Sequence, residues 1–158
     1  MNTTRPDPHP GHAALRKGRV SLPNHVYFVT FITRGRRPLF RDGDLAMAAC
    51  RAMSDRRIWS DAQLLAWVLM PDHWHGLIQV GADGDLSGTI RRLKCNSAGQ
   101  VRAEFPGLGP VWARAFHDRA VRAEDDLLAA ARYLIMNPVR AGLVDKVRDY
   151  PFWNACWL

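Results

Sequence analysis

Apolar and polar side chains alternate along the chain with two different periods, which predict both strands and helices. A period of two residues, enriched in β-branched and aromatic side chains, is typical of strands and is strongest at residues 25–34. Apolar side chains spaced by three or four residues indicate amphipathic helices, as at residues 86–104. The predicted elements in chain order are strand 25–34, helix 42–57, strands 63–70 and 73–80, helix 86–104, strand 111–117 and helix 125–137.

The order of these elements predicts the fold class. The first six follow the order β-α-β-β-α-β, the split βαβ arrangement of ferredoxin-like folds. We therefore predict an α+β domain with an antiparallel, ferredoxin-like or RRM-like sheet and an added C-terminal helix. The domain is predicted to span residues 19–153, after a flexible arm at 1–18 that prolines interrupt and before a tail at 154–158. Because this fold hosts RNA-binding modules and many enzymes, it fixes no function.

Composition narrows the class of protein. The chain has 158 residues, of which 47% are hydrophobic, as expected for one globular domain. Its longest clean apolar run, residues 64–70, is far shorter than the roughly 20 residues of a membrane span. Three widely spaced cysteines favour neither a disulfide framework nor a cysteine-based zinc site. We therefore expect a reducing, cytoplasmic location.

The net charge of +7 suggests a polyanionic partner, for which nucleic acid is the usual candidate. An alternative explanation is compositional bias, because arginine supplies 19 of the 22 basic residues. Charge alone leaves both explanations open. The basic residues are not gathered in a tail, so the fold must assemble any binding surface.

The sequence His73-Trp74-His75, in the third predicted strand, is the sharpest chemical feature. Residues i and i+2 of a strand point to the same face, about 6.5–7 Å apart. Two such imidazoles could converge on one divalent metal while Trp74 turns to the core, or they could simply be hydrogen-bonded groups. A hard cation would also need an oxygen ligand.

The third predicted helix offers such an oxygen. Tyr133 and Asn137 are spaced i and i+4, hence neighbours on one face, and both lie away from the apolar stripe of this helix. The tyrosine could be simply amphipathic and half exposed. Alternatively its hydroxyl is a nucleophile and the Asn137 carbonyl oxygen a metal ligand. Because a phenol has an ordinary pKa near 10, attack on a phosphodiester would need a metal to polarise the phosphate.

Five sequence blocks resemble one family, the REP-associated tyrosine transposases, a branch of the single-tyrosine HUH transposases. The resemblance runs in order from about residue 21 to residue 153. The blocks are LPNHVYFVTFITRGRRPLF, WVLMPDHWHGLI, IRRLKCNSAG, VWARAFHDRAVRAEDDL and RYLIMNPVRAGLV.

The resemblance implies an antiparallel sheet with helices on one side. It also implies a metal-dependent enzyme that cleaves and rejoins single-stranded DNA near palindromic repeat hairpins through a 5′-phosphotyrosine intermediate. Carried over by motif, the nucleophile is Tyr133, the metal ligands are His73, His75 and Asn137, and the ion is Mg²⁺ or Mn²⁺. Chain length and branch favour a monomer over a homodimer.

Candidate DNA contacts lie at strand ends and on the second helix, although a solvated surface charge is the simpler explanation for each. They are Arg34, Arg36, Arg37, Arg91, Arg92, Lys94, Arg114 and Arg119. His117 would lie near the site if the fourth strand neighbours the one that carries the metal ligands. Two other functions compete with a transposase: a non-catalytic, domesticated single-stranded nucleic-acid-binding module of RRM-like fold, and a phosphodiesterase that uses water.

Overall fold

The computed structural model describes residues 21–157, and the predicted arm at 1–18 lies outside them. The elements follow the predicted order, with one short helix and one short strand in addition. Short 3₁₀ turns lie between several of them. The elements are β1 (Val26–Ile32), α1 (Gly43–Met53), β2 (Ala62–Met70), β3 (His73–Val80), α2 (Leu86–Glu104), β4 (His117–Val121), α3 (Glu124–Ile135), α4 (Asn137–Arg140) and β5 (Trp153–Ala155).

The five strands form one sheet in the order β4-β1-β3-β2-β5, and every neighbouring pair is antiparallel. The predicted α+β fold with a ferredoxin-like sheet is confirmed, because β3 separates β1 from β2 as the split βαβ order requires. β5 pairs with β2 through residues 153–155, a strand that sequence analysis did not predict. No helix within residues 21–157 is both long and apolar enough to cross a membrane.

Helices cover both faces of the sheet. The first face packs on α1 and α2 and holds the larger core, in which Trp74, Phe31 and Leu93 are fully buried. The second face packs on α3, where Ala131 and Leu134 belong to the same buried cluster as Leu77. The expectation of helices on one side is therefore wrong, because the apolar stripe of α3 has its own patch of sheet to bury.

The fourth strand lies later in the sequence than predicted. Within residues 111–117, Val111 and Trp112 are both buried in the core although they are neighbours in sequence, and Trp112 forms an isolated bridge to Thr33. The Trp112 ring meets Phe31 edge-on at 4.7 Å between centroids, and its Nε1 donates to Ser97 Oγ at 2.9 Å. The pattern thus marks a core-inserted connection, and β4 follows it.

Helix N-termini form where short acidic side chains precede them. The Asp42 carboxylate accepts from the backbone N–H groups of Asp44 and Leu45 and so caps α1. The Asp85 carboxylate caps α2 in the same way, through the N–H groups of Ser87 and Gly88. These caps fix where both helices begin, and with them the first helical layer.

Gly76→Ala should destabilise the domain strongly. A Cβ atom at residue 76 would overlap the six-membered ring of Trp74, which is fully buried. Overpacking of this kind costs about 1–3 kcal/mol of unfolding free energy. Urea denaturation measures the loss. Gly99→Ala in α2 is the matched control, because a Cβ there meets nothing within 4 Å. It should stabilise the helix by up to ~1 kcal/mol, and an equal loss in both variants would contradict the argument.

Candidate active site

The alternation of β3 places His73 and His75 on the second face of the sheet and Trp74 on the first. The two imidazole centroids lie 4.6 Å apart. Trp74 stacks on Phe31 at 4.9 Å between ring centroids and has no exposed surface. The indole therefore fixes the rotation of the strand, and both imidazoles follow from it.

Each imidazole is oriented through its Nδ1 atom. His73 Nδ1 lies 2.6 Å from Asp72 Oδ1, and His75 Nδ1 lies 2.7 Å from Thr30 Oγ1. When Nδ1 donates to such a partner, Nε2 keeps the lone pair that binds a metal. The paired imidazoles thus have the form of two preoriented metal ligands.

Burial and positive neighbours keep the His75 ring neutral. Burial is the main cause that lowers the pKa of His75, and the charges of His73 and Arg140 lower it further, to about 3. Asp72 opposes this shift but is weaker. Asp72 is itself charged: burial acts to raise its pKa, but hydrogen bonds and charges from His73 and Arg36 lower it overall. At neutral pH the site therefore holds a neutral His75 beside a carboxylate.

Tyr133 lies on α3, over the same face as the histidines. The helix buries Ala130 and Leu134 against the sheet, whereas Tyr133 remains 55% exposed. Its ring lies 6.4 Å from the Phe28 ring, and Phe28 in turn lies 5.6 Å from the His75 ring, centroid to centroid. One aromatic side chain of β1 therefore contacts both the candidate nucleophile and a candidate ligand.

The predicted helix 125–137 is interrupted just before Asn137. α3 ends at Ile135, Met136 forms a turn, and Asn137 begins the short α4 immediately before Pro138. Its Nδ2 donates to the Leu134 carbonyl at 3.0 Å, and its Oδ1 accepts from Arg140 Nη2 at 2.7 Å. The proposed ligand oxygen thus points toward a guanidinium.

Arg140 is the residue of this region that sequence analysis missed. Its guanidinium lies 3.6 Å from the Tyr133 ring centroid and donates from Nη1 to the Tyr133 carbonyl at 3.1 Å. It also holds Asn137 and lies near enough to affect His75. The only available signal was its position, three residues after Asn137 and seven after Tyr133.

The candidate DNA contacts divide into two groups. Several are engaged within the fold: Arg36 with Asp72, Arg37 with the carbonyls of Leu108 and Pro110, Arg92 with Asp61 and the Ile58 carbonyl, and Lys94 with the carbonyls of Ala113, Arg114 and Ala115. The side chains of Arg34, Arg91, Arg114 and Arg119 are exposed. These four side chains lie at the surface, where an incoming phosphate can reach them, and Arg36 is exposed there too.

β4 brings Arg119 and His117 to the same face as the site. Arg119 lies opposite Phe28 in the register and stacks over its ring at 4.9 Å. His117 lies opposite Thr30, which on its other side lies opposite His75. β4 neighbours β1 rather than β3, so His117 stands in the row of His75 but two strands away, roughly 10 Å. A role for His117 near the metal ligands required β4 to be the neighbour of β3, and this is not the case.

A cavity of about 430 Å³ opens beside Tyr133, between β4 and α3. Arg119 and Arg122 line it on the strand side, and Asp126 and Ala130 on the helix side. Tyr133 thus lies at the wall of a groove whose strand side is basic, which suits the approach of an anionic backbone.

Comparisons with known proteins identify the family of the chain. Residues 21–134 match the family described as "Transposase IS200 like". The REP-associated tyrosine transposase of Escherichia coli (strain K12) is 31% identical over 91 residues, which cover 57% of this chain and 52% of that protein. The chain spans about half the length of the curated relatives it matches.

A solved structure gives a broader match. The structure described as that of the REP-associated tyrosine transposase bound to a REP hairpin has a TM-score of 0.67 and 26% identity, and the match covers 85% of this chain and 79% of that one. The family resemblance inferred from the five sequence blocks is thereby confirmed.

The His75 imidazole should stay neutral far below its ordinary pKa in chelator-treated protein. The folded pKa of about 3 lies below the ordinary 6.5, so the unfolded chain binds the extra proton between these values. Stability from this group should therefore be complete above pH 6.5 and decline as the pH falls toward 3. Imidazole NMR resonances followed against pH measure this directly. A His75 midpoint near 6.5 would contradict the described burial.

Proposed function

Because the chain belongs to the IS200-like transposase family, we propose that it cleaves and rejoins single-stranded DNA through Tyr133. The observation that carries this proposal is the convergence of Tyr133, the paired histidines and Arg140 on one face of the sheet. Hairpin-forming DNA is the proposed substrate, supported by the relative whose structure is described as bound to a REP hairpin. We propose a monomer as the acting form, since nucleophile and histidines of one chain already share a face.

The residues present fit a divalent metal, Mg²⁺ or Mn²⁺, as the proposed cofactor. His73 and His75 would supply two nitrogen ligands. Asn137 Oδ1 accepts a hydrogen bond from Arg140 with one lone pair and would bind the metal with its other lone pair. Within residues 21–157 no group of three or more His, Cys, Asp or Glu side chains is arranged to hold a metal, so the amide is needed to complete the set. When bound, the ion would polarise a non-bridging phosphate oxygen.

In the proposed reaction the Tyr133 hydroxyl oxygen forms a bond to phosphorus and loses its proton. The bond from phosphorus to the 3′ oxygen breaks, and the 3′ oxygen takes up a proton to balance the one that Tyr133 loses, which leaves a free 3′-OH and a 5′-phosphotyrosine. Rejoining is the reverse attack by a 3′-OH on the same phosphorus, which returns the proton to the tyrosine. One phosphodiester is exchanged for another, so no nucleoside triphosphate is required.

Arg140 has two opposing effects in this proposal. Its stacking on Tyr133 and its bond to Asn137 fix the positions of nucleophile and ligand, and its charge offsets the negative charge that develops on the phosphate. The same charge repels a divalent ion from neighbouring His75 and Asn137. The Arg140 guanidinium therefore lowers the affinity for the metal while it orients the side chains of the site.

Tyr133→Phe should abolish the covalent protein–DNA adduct and leave DNA binding intact. The change removes only the attacking oxygen and keeps the ring that contacts Phe28 and Arg140. The protein is incubated with Mn²⁺ and with single-stranded hairpin DNA taken from the repeats that flank the protein's own gene. The covalent adduct is detected by denaturing electrophoresis.

Tyr27→Phe is the matched control, because that hydroxyl accepts a hydrogen bond from Leu22 N far from the site. It should retain the adduct. Adduct formed by Tyr133→Phe would disprove the assigned nucleophile. Cleavage by the unaltered protein without an adduct would indicate the water-using phosphodiesterase, and binding without cleavage the non-catalytic module.

Arg140→Ala should bind Mn²⁺ more tightly but form adduct more slowly. Removing one positive charge beside the ligands should raise affinity by up to about tenfold. Losing the group that positions Tyr133 and offsets phosphate charge should slow adduct formation by about 10²-fold at saturating Mn²⁺. Calorimetric titration gives the first quantity and gel kinetics the second.

Arg132→Ala is the control for this variant, because it removes an exposed arginine of α3 that is next to Tyr133 in the sequence. It should change neither quantity appreciably. Weaker Mn²⁺ binding by Arg140→Ala would show that the guanidinium organises Asn137 for the metal rather than competing with it.

A further inference from the structure

A second cleft, of about 550 Å³, lies between α2 and the segment 110–116. Its floor includes Ile90, Ala98, Trp112 and Phe116, all apolar. Trp112 belongs to the core on the first face of the sheet, so the cleft lies on the side away from Tyr133. Its volume is within the range of sites that take small organic groups, roughly 300–1,000 Å³.

The rim of this cleft is basic. Arg91 and Arg102 both line it from α2, and their separation of eleven residues is close to three helical turns, so they mark the two ends of one face about 16 Å apart. Arg114 lines it from the opposite wall. None of the residues found to line it, all within the described part of the chain, is acidic. The cleft therefore combines an apolar floor with a rim of one sign.

This combination matches the chemistry of a nucleotide. An unpaired base offers an apolar face for the floor, and its flanking phosphates offer negative charge for the arginines. The chain's own residues 1–20 are the obvious competing occupant, because Ser21 Oγ accepts from Leu86 N next to Ser87 of the cleft. That segment carries four basic residues and one acidic residue, so a basic rim disfavours it.

The cleft is connected to the candidate active site through the chain. Segment 110–116 runs directly into β4, which is an edge strand of the sheet. Arg119 of β4 stacks over the Phe28 ring, and the Phe28 ring also contacts Tyr133. We propose that this cleft binds an unpaired nucleotide of a single DNA strand that passes over the β4 edge toward Tyr133. The inference rests on the proposed function for the identity of the polymer, but not on cleavage.

Cys95 provides a direct test because it is exposed and lines the cleft. Cys156 is exposed too, but it follows β5 at the other edge of the sheet, and burial raises the pKa of Cys50 to about 12, which makes it unreactive. Modification of the full chain by a thiol reagent is followed by peptide mass spectrometry, without DNA and with a saturating 20-nucleotide single-stranded DNA of mixed sequence.

We expect this DNA to slow modification of Cys95 by about tenfold or more and to leave Cys156 unchanged. Fluorescence polarisation of a labelled strand establishes saturation. An unchanged Cys95 rate under saturating DNA would overturn the proposal, as would failure of the strand to bind at low salt. Equal protection of Cys95 and Cys156 would also overturn it, since coverage would then be general.

The double variant Arg91→Ala/Arg102→Ala tests the rim. It should weaken binding several-fold and reduce the slope of log affinity against log salt by about 1.4, the value for two phosphates on a single strand. Arg56→Ala/Arg148→Ala removes two exposed arginines elsewhere and should give a clearly smaller change. Equal effects of the two pairs of substitutions would overturn the proposal that the cleft binds a nucleotide.

The Tyr133 adduct, measured separately, keeps this test distinct from that of the proposed function. Protection of Cys95 without any adduct supports the cleft and contradicts the transposase. An adduct without protection of Cys95 does the reverse.

Discussion

The rotation of β3 is the constraint on which the candidate site depends. Trp74 is fully buried against Phe31, and the absent side chain of Gly76 makes room for its ring. Because alternate residues of a strand face opposite ways, this one indole directs both His73 and His75 to the second face. A one-residue slip of register would bury the histidines and expose the tryptophan. Core packing and ligand geometry are therefore two consequences of the same strand.

Having helices on both faces separates stability from chemistry. The first face, with α1 and α2, holds the larger core and the cap-defined helices. The second face packs on α3, and a groove lies beside Tyr133 of this helix. Substitutions on the second face can thus alter the site while the larger core remains intact. This division is why substitutions at Tyr133 and Arg140 are informative.

Much of the fold could be predicted from the sequence because local patterns dictate it. The hairpin of β2 and β3, helix α2 and the pairing of His73 with His75 all follow from periodicity and one turn. The position of β4 could not be predicted, because Val111 and Trp112 of the preceding segment are apolar and buried in the core like residues of a strand. β5 is three residues long and exists through its pairing with β2, a contact distant in sequence. Arg140 was missed because the break between α3 and α4 sets its contacts.

The net charge of +7 overstates the positive surface available to an anionic partner. Arg37, Arg92 and Lys94 donate hydrogen bonds to carbonyl groups or a carboxylate of the domain itself. Part of the excess positive charge therefore stabilises connections within the fold. Arg119 and Arg140 instead stack on aromatic rings of the second face. Stacking removes side-chain freedom before any phosphate arrives, so less entropy remains to be lost on binding. For the proposed phosphodiester substrate, the position and rigidity of these cations therefore matter more than their number.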